Sequence, residues 1–452
     1  MKIVLIGVGK VGKKIADQLT PEDHDITVVD NDPVRINTLN NNQDVMVIQG
    51  NGALYDVQLE AGVDKADVVV ATTPDDELNM IVCLLAKKLG AKRCIARVRT
   101  PGYYNQIGIL KDDLGLSMAI NPEYNAANEI MRILLLPEAA QIETFAKGKV
   151  DLVQFRINDD SLLSGLSLSE IYKKYKVKLL ICSIERNGEV IIPNGSNTLM
   201  AGDRVSVACA HDDAERFFKK IGAAKQKIKS VMIVGGGRLC YYLAKGLTEA
   251  GMDVKIIESD YKRCLELSEL LEDVSIINGD GTDHITLKEE GIGSVDAFVA
   301  LTGIDEENMI MAMYAQSKNV SKVVSKVTRG SYVALSNHIG LDSIVSPKQL
   351  AADTILAYIR ALKNSEHSNN VETIYKIVNE RVEALEFCVK EEAPYLNTKL
   401  KDLETKKNVL IAVIVRNRKI IIPCGDDHIA LGDSVIVVTS DQTFTELSEI
   451  FD

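Results

Sequence analysis

Lys2-Ile-Val-Leu-Ile-Gly-Val-Gly-Lys-Val-Gly12 decides how the rest of the chain is read. The apolar run Lys2–Ile6 reads as a short, fully buried strand, and the apolar-periodic run Val11–Leu19 reads as a helix. Between them lie Gly7, Val8, Gly9, Lys10, Val11 and Gly12, a G-x-G-x-x-G turn. In such a unit the first glycine permits the tight turn, the second lets backbone approach a pyrophosphate, and the third lets helix and strand pack closely. The anion then meets unpaired N–H groups at a positive helix end. A second strand, Asp25–Val29, leads to Asp30, at the distance where a carboxylate accepts both ribose hydroxyls of an adenosine. The same charge repels a 2′-phosphate, which favours NAD over NADP.

Beyond Asp30, Asp32 and Pro33 supply an N-cap and a first-turn proline for a helix over Val34–Leu39. Asp44–Ile48 reads as a third strand, and Gly50-Asn51-Gly52 turns the chain beside the expected adenosine. Ala53–Ala61 is a helix closed by Gly62. A fourth strand, Asp67–Ala71, delivers Thr72 and Thr73 to the carboxyl edge of the sheet, where ligands bind in open α/β sheets. The helix Asp75–Leu89 carries Asn79 in its early turns and stops at Gly90. A fifth strand, Cys94–Val98, sets Arg97 near its end, where a guanidinium balances pyrophosphate charge or pairs with Asp75, Asp76 or Glu77. After the sixth strand, Ser117–Ile120, Asn121-Pro122 opens a helix to Leu136 that is apolar enough to bury a partner surface.

From Gln141 to Ile221 the period changes. Val150–Ile157 alternates, Leu168–Tyr175 is a short helix, and Leu179–Ile184 and Glu189–Ile192 flank the hairpin signal Asn187-Gly188. The opening then recurs: Val231–Val234 is followed by Gly235, Gly236, Gly237, Arg238, Leu239 and Cys240. Glu258 stands where Asp30 stands, Asn308 where Asn79 does, and Lys326 falls on Arg97. Ser346-Pro347 opens the matching apolar helix to Leu362, and the polar stretch Lys363–Asn370 marks a boundary. The remaining residues repeat the small module. The expected fold is α/β: tandem Rossmann-like doubly wound parallel sheets, each followed by a small α+β module. The expected domains are residues 1–137, 138–226, 227–364 and 371–452.

Composition narrows the function. The 452 residues carry a net charge of −12, and nothing supplies the basic stripe that binding to nucleic acid requires. Eight cysteines form no CxxC pair and show no metal-ligand spacing with histidine, so no metal is expected and free thiols in a reducing cytosol are. Met1 runs straight into the first strand, leaving no room for a signal peptide. No apolar run approaches the roughly 20 residues that span a bilayer.

With these residues in view, the chain resembles the RCK, or KTN, domains that gate potassium channels and transporters, in the tandem arrangement of the regulatory subunits of Trk potassium uptake systems. The markers are Gly7-Val-Gly-Lys-Val-Gly12, Val28-Val-Asp30, Gln49-Gly-Asn-Gly52, Asp76-Glu-Leu-Asn79, Ala96-Arg-Val-Arg99 and the paired carboxyl-terminal modules. The resemblance implies a regulatory protein that binds NAD or NADH, and in places ATP or ADP, and performs no chemistry. It implies a homo-oligomer, dimer or tetramer, forming a ring of RCK domains on the cytoplasmic face of an integral-membrane, TrkH-like potassium-translocating subunit. It also implies a first site formed by Gly7 to Val11, Asp30, Thr73 and Arg97, and a second by Gly235 to Leu239 and Glu258. Asn51, Gly52, Thr72, Asn79 and Lys326 complete the candidate set. The second copy departs from the pattern at Cys240 and at Leu301, which replaces Thr72, so the first cleft is the stronger expectation.

An NAD-dependent oxidoreductase is the rival reading. It needs an acid or base within reach of a substrate carbonyl, and His24, His211, His284, His338, His367 and His428 fall in turns, strand ends or linkers where surface positions are expected. A scaffold with no ligand is the third.

Overall fold

The computed structural model describes residues 1–22, 24–40, 45–145, 150–222, 227–341, 343–366, 371–377, 381–417, 419–440, 444 and 446–451. Two compact units are formed, one from Met1–Met131 and Ile228–Ile359, the other from Arg132–Lys227 and Arg360–Asp452.

In the first unit the chain runs β1 (Lys2–Ile6), α1 (Lys10–Leu19), β2 (Asp25–Asp30), α2 (Pro33–Asn40), β3 (Met46–Gln49), α3 (Tyr55–Glu60), β4 (Val68–Ala71), α4 (Asp76–Leu89), β5 (Arg93–Arg97), α5 (Pro101–Leu110), β6 (Met118–Ile120) and α6 (Pro122–Leu135). The strands order as β3-β2-β1-β4-β5-β6 and pair in parallel throughout. The order reverses between β1 and β4, and in doubly wound sheets the ligand crevice opens at such a switch point. Ile6 pairs with both Val29 and Ala71, so Gly7, Asp30 and Thr72 leave neighbouring strands at one edge.

Side-chain caps and glycine stops bound several of these helices. Asp32 accepts from the Val34 N–H at 2.9 Å, and Asp75 caps α4 by accepting from Leu78 at 2.7 Å. Gly90, at φ 122°, ends that helix. The helix expected from Ala53 starts only at Tyr55, because the Ala53 N–H closes a local turn onto the Asn51 side chain at 3.0 Å. Helix α5 was not anticipated, and the Asp44 end of the third strand lies outside the described residues.

Before the second half come β7 (Gln141–Phe145), β8 (Val150–Arg156), α7 (Leu168–Tyr175), β9 (Leu179–Arg186), β10 (Glu189–Ile191), β11 (Arg204–Ala210) and α8 (His211–Lys220). The second half repeats the first: β12 (Ser230–Val234), α9 (Arg238–Glu249), β13 (Asp253–Glu258), α10 (Tyr261–Leu270), β14 (Val274–Asn278), α11 (His284–Glu289), β15 (Ala297–Ala300), α12 (Asp305–Ser317), β16 (Lys322–Lys326), α13 (Gly330–His338), β17 (Ile344–Val345) and α14 (Pro347–Glu366). Its sheet, β14-β13-β12-β15-β16-β17, has the same parallel order. Helix α14 continues past Leu362 to Glu366, so the first residues of the expected polar linker are helical; residues 367–370 lie outside the described residues.

The second unit holds two antiparallel sheets. One orders as β10-β9-β11-β8-β7. The other is built from β18 (Val371–Ile377), β19 (Val382–Cys388), β20 (Val409–Arg416), β21 (Lys419–Ile421) and β22 (Ser434–Ser440), in the order β18-β19-β22-β20-β21. Asn187 and Gly188 take positive φ in the β9–β10 turn, as the hairpin signal required. Strands β7 and β18, at the outer edges, were not anticipated. Leu152, Cys182 and Ala208 of one module share a buried cluster with Ala384, Val413 and Ile436 of the other. The apolar faces of two small sheets thus supply a core that neither makes so fully alone.

Candidate functional site

Gly7 leaves β1 at φ +89°, and a Cβ there would lie 2.7 Å from the Thr73 nitrogen. A Cβ on Gly12 would lie 2.2 Å from the Gly7 carbonyl oxygen. That oxygen accepts from the Thr72 hydroxyl at 2.7 Å, which ties the turn to the end of β4. Gly9 differs from both. A Cβ there meets nothing within 4 Å, so the fold itself has no steric need for glycine, and the open space faces what approaches the N-terminus of α1.

Asp30 is buried, and its two carboxylate oxygens are engaged by its own loops. One accepts from the Val8 N–H at 2.7 Å and the other from the Asp32 N–H at 2.9 Å. Arg35 stands 3.5 Å away. The residue read from sequence as a ribose acceptor is therefore also the clamp on the glycine turn. Glu258 repeats this with one more methylene, accepting from Gly236 at 2.6 Å and Asp260 at 2.7 Å.

Asn79 corrects the reading of it as a ligand contact. It is fully buried; its oxygen accepts from the Thr73 N–H and hydroxyl, both at 2.8 Å, and its amide donates to the Thr73 carbonyl at 3.1 Å and the Arg97 carbonyl at 2.9 Å. Two donors and two acceptor sites are all a carboxamide has. Asn79 pins the ends of β4 and β5 and has nothing left to offer a ligand. Asn308 does the same at Thr302 and Lys326. Gly52 is likewise a packing glycine, since a Cβ would meet the Ile6 side chain at 2.2 Å. The Asn51 oxygen is held in its own turn by Ala53.

Arg97 donates to the Thr73 carbonyl, while its buried Nε has no partner among the described residues. Among the described residues no carboxylate pairs with it, so the ion pair with Asp75, Asp76 or Glu77 is not made. Burial, with Arg99 alongside, pushes its pKa down to about 10, against the pull of Glu123 and Asp76. Lys326, its counterpart, donates to the Leu301 carbonyl at 3.0 Å, and burial lowers its pKa against the pull of Asp305 and Glu123.

The two clefts meet. A cavity of about 450 Å³ is lined by Gly9, Lys10, Val11, Thr72 and Arg97 from the first half and by Gly237, Arg238, Leu239, Cys240 and Lys326 from the second. Gly7, Val8, Gly12, Asp30, Asn51, Gly52, Thr73, Asn79, Gly235, Gly236 and Glu258 do not line it. Arg35, Arg99, Glu123 and Lys348 do, and sequence reasoning assigned them no site role. Arg35 follows Asp30 by five residues as Arg263 follows Glu258, a match the sequence carries; the others sit on helix starts and strand ends whose convergence only the packing of the halves produces. That packing includes Tyr242 of α9, whose hydroxyl donates to the Arg99 carbonyl at 3.2 Å and accepts from Asn121 at 2.9 Å. Its ring packs edge-on against Tyr124.

His24 corrects the expectation of surface histidines: its imidazole is wholly enclosed, near Glu22. Of the eight thiols, all free, only Cys424 is exposed. No helix among the described residues is long and apolar enough to cross a membrane.

Two doubly wound nucleotide-type folds sharing one cation-lined cavity, each with a small antiparallel module, define a tandem nucleotide-fold protein of the RCK kind. The TrkA-N domain matches residues 3–122 and 231–347, and the TrkA-C domain residues 152–222 and 384–452. The chain belongs to the TrkA family of Trk system potassium uptake proteins. It is 34% identical over 451 residues to a Trk system potassium uptake protein TrkA homolog of Archaeoglobus fulgidus, covering all of both chains. It is 31% identical over 456 residues to the Trk system potassium uptake protein TrkA of Haemophilus influenzae, covering 100% of this chain and 98% of the relative. In fold it is similar to the crystal structure of the GsuK RCK domain, with a TM-score of 0.64 at 16% identity over 97% of this chain and 92% of the other. It is equally similar to the GsuK channel bound to NAD, again with a TM-score of 0.64 at 16% identity, over 97% of this chain and 77% of that one.

Proposed function

We propose that this chain is a non-catalytic regulatory subunit that binds NAD(H) or an adenine nucleotide through Gly7–Val11, Asp30 and Arg97 and thereby gates an integral-membrane, TrkH-like potassium-translocating partner. The observation that carries the reading is the cavity into which both glycine turns open, lined by cations of both halves. A polyanion seated there touches residues from both halves at once, and a ligand shifts an equilibrium only through such differential contacts. Gly235–Leu239, Glu258 and Lys326 form a second site of the same kind. The subunit works on the cytoplasmic face of the membrane, in a ring of copies of itself; potassium uptake is the process that its relatives' shared name gives.

Potassium or rubidium flux into vesicles holding the membrane partner, measured with the full chain and with each nucleotide in turn, tests the reading. Flux that changes with nucleotide, and loses that response in Gly9→Ala, is the expected result. Steady consumption of NADH by the purified chain with a small carbonyl compound would turn the reading to an oxidoreductase, and flux indifferent to every adenine nucleotide would end it.

A further inference from the structure

The two halves are copies, and they differ in charge at two matched positions that line the shared cavity: Arg99 stands against Thr328, and the first turns of α6 and α14 carry opposite charges. Asn121-Pro122-Glu123 opens α6, and Ser346-Pro347-Lys348 opens α14 at the matching place. Both Glu123 and Lys348 face the cavity. Glu123 is 3.5 Å from Arg99 and is felt by Arg97 and Lys326, so it neutralises cations already there. Lys348 does the reverse. It comes from the second half but lines the same cavity as Lys10, the residue after the second glycine of the first turn, and burial together with the Lys10 charge lowers its pKa against the pull of Asp305.

We propose that Lys348 completes the anion site of the first cleft from the opposite half of the chain, forming with Lys10 a two-ammonium clamp on the far end of a nucleoside polyphosphate chain. This rests on the nucleotide-binding reading above and adds to it a residue and a preference among ligands. Among the described residues the cavity lining holds seven cationic side chains and one carboxylate, Glu123. Neither Lys10 nor Lys348 has a carboxylate partner among those residues. Like charges facing one cavity repel, the Asp305 charge offsets this for Lys348 only in part, and the pair is stabilised by whatever anion lies between them. The N-terminus of α1 takes the phosphates nearest the ribose, and Lys10 is its first residue. A chain of phosphates extending past that turn reaches the ammonium of Lys348, whereas a monophosphate ends before it.

The test compares ATP with AMP by calorimetry on the full chain at neutral pH. Lys348→Gln is expected to weaken ATP by about tenfold or more, the scale of one charge-assisted hydrogen bond, and AMP by less than about twofold. Lys348→Arg is expected to keep the ATP preference. AMP affinity serves as the internal control for an intact cleft. If Lys348→Gln weakens ATP and AMP by the same factor, or neither, the clamp is wrong while the nucleotide reading stands. If the unaltered chain binds neither ATP nor AMP the clamp falls, and if it binds neither NAD nor NADH as well the reading falls with it.

Discussion

Asp30 serves the fold, and in the proposed site the ligand too, through the same atoms. Its carboxylate accepts from Val8 and Asp32 while buried, so Asp30→Ala strands a buried N–H at a cost of about 1–3 kcal/mol. The expected outcome is a lower melting temperature together with weaker NAD binding; unchanged affinity would remove Asp30 from the site. Lys348 gives a pH signature. Burial and the Lys10 ammonium, opposed by Asp305 and joined by Lys326, push its pKa down to about 8, against about 10.4 in an unfolded chain. Between those values the folded state binds fewer protons than the unfolded one. Stability from this group therefore rises with pH across that window, and the repulsion is fully present below it. The side chain is only partly buried, so solvent screening keeps the effect on stability small. Affinity is the sharper readout: ATP binding should weaken as pH rises through about 8, and Lys348→Gln should flatten the profile.

At the scale of elements, the glycine turn separates positions the fold needs from positions the ligand needs. Gly12→Ala would drive a Cβ to 2.2 Å from the Gly7 carbonyl and should unfold the β1–α1 junction. Gly9→Ala meets nothing within 4 Å and starts from φ −63°, so its melting temperature should stay within a degree or two of wild type, consistent with about 0.5 kcal/mol, while nucleotide affinity falls. A melting point that drops with Gly9→Ala would show that the open space belongs to the fold. Asn79→Ala is the converse case. It deletes four hydrogen bonds at the ends of β4 and β5 and should cost about 2–4 kcal/mol, measured by denaturant unfolding.

These elements also show how far the sequence could be read. Strand, turn and helix order followed from buried β-branched runs, from the cap at Asp32, and from Gly90, all local signals, whereas the capping role of Asp75 shows only in the fold. Asn79 was misread because its partners, the Thr73 and Arg97 backbone groups, converge only when β4 and β5 pair. Strands β7 and β18 were missed at sheet edges, where only one neighbour enforces the pattern. Lys348 was invisible for a related reason. Its partner Lys10 is distant along the chain, and nothing in either stretch alone announces that the halves face each other across one cavity.

For the whole molecule, the consequence of a shared cavity is that a nucleotide bound as proposed touches both halves. Tyr242 of α9 already ties the second half to the Arg99 carbonyl and Asn121 of the first, and Arg97 lies close enough to Arg238 to feel its charge. The division between the compact units falls inside α6, at Met131 and Arg132, and inside α14, at Ile359 and Arg360. The two helices whose first turns line the cavity are thus the ones that carry the chain from one unit into the next. Nucleotide at about a hundred times its dissociation constant stabilises the bound state by about 2.7 kcal/mol, enough to slow amide exchange by up to roughly a hundredfold where opening must first release the ligand. Hydrogen exchange followed by mass spectrometry should show that protection at residues 7–19 and equally at 235–249 and the first turn of α14, and Gly9→Ala should lose it at all three. Protection confined to the first half would mean that the clefts act separately and that the cavity between them transmits nothing.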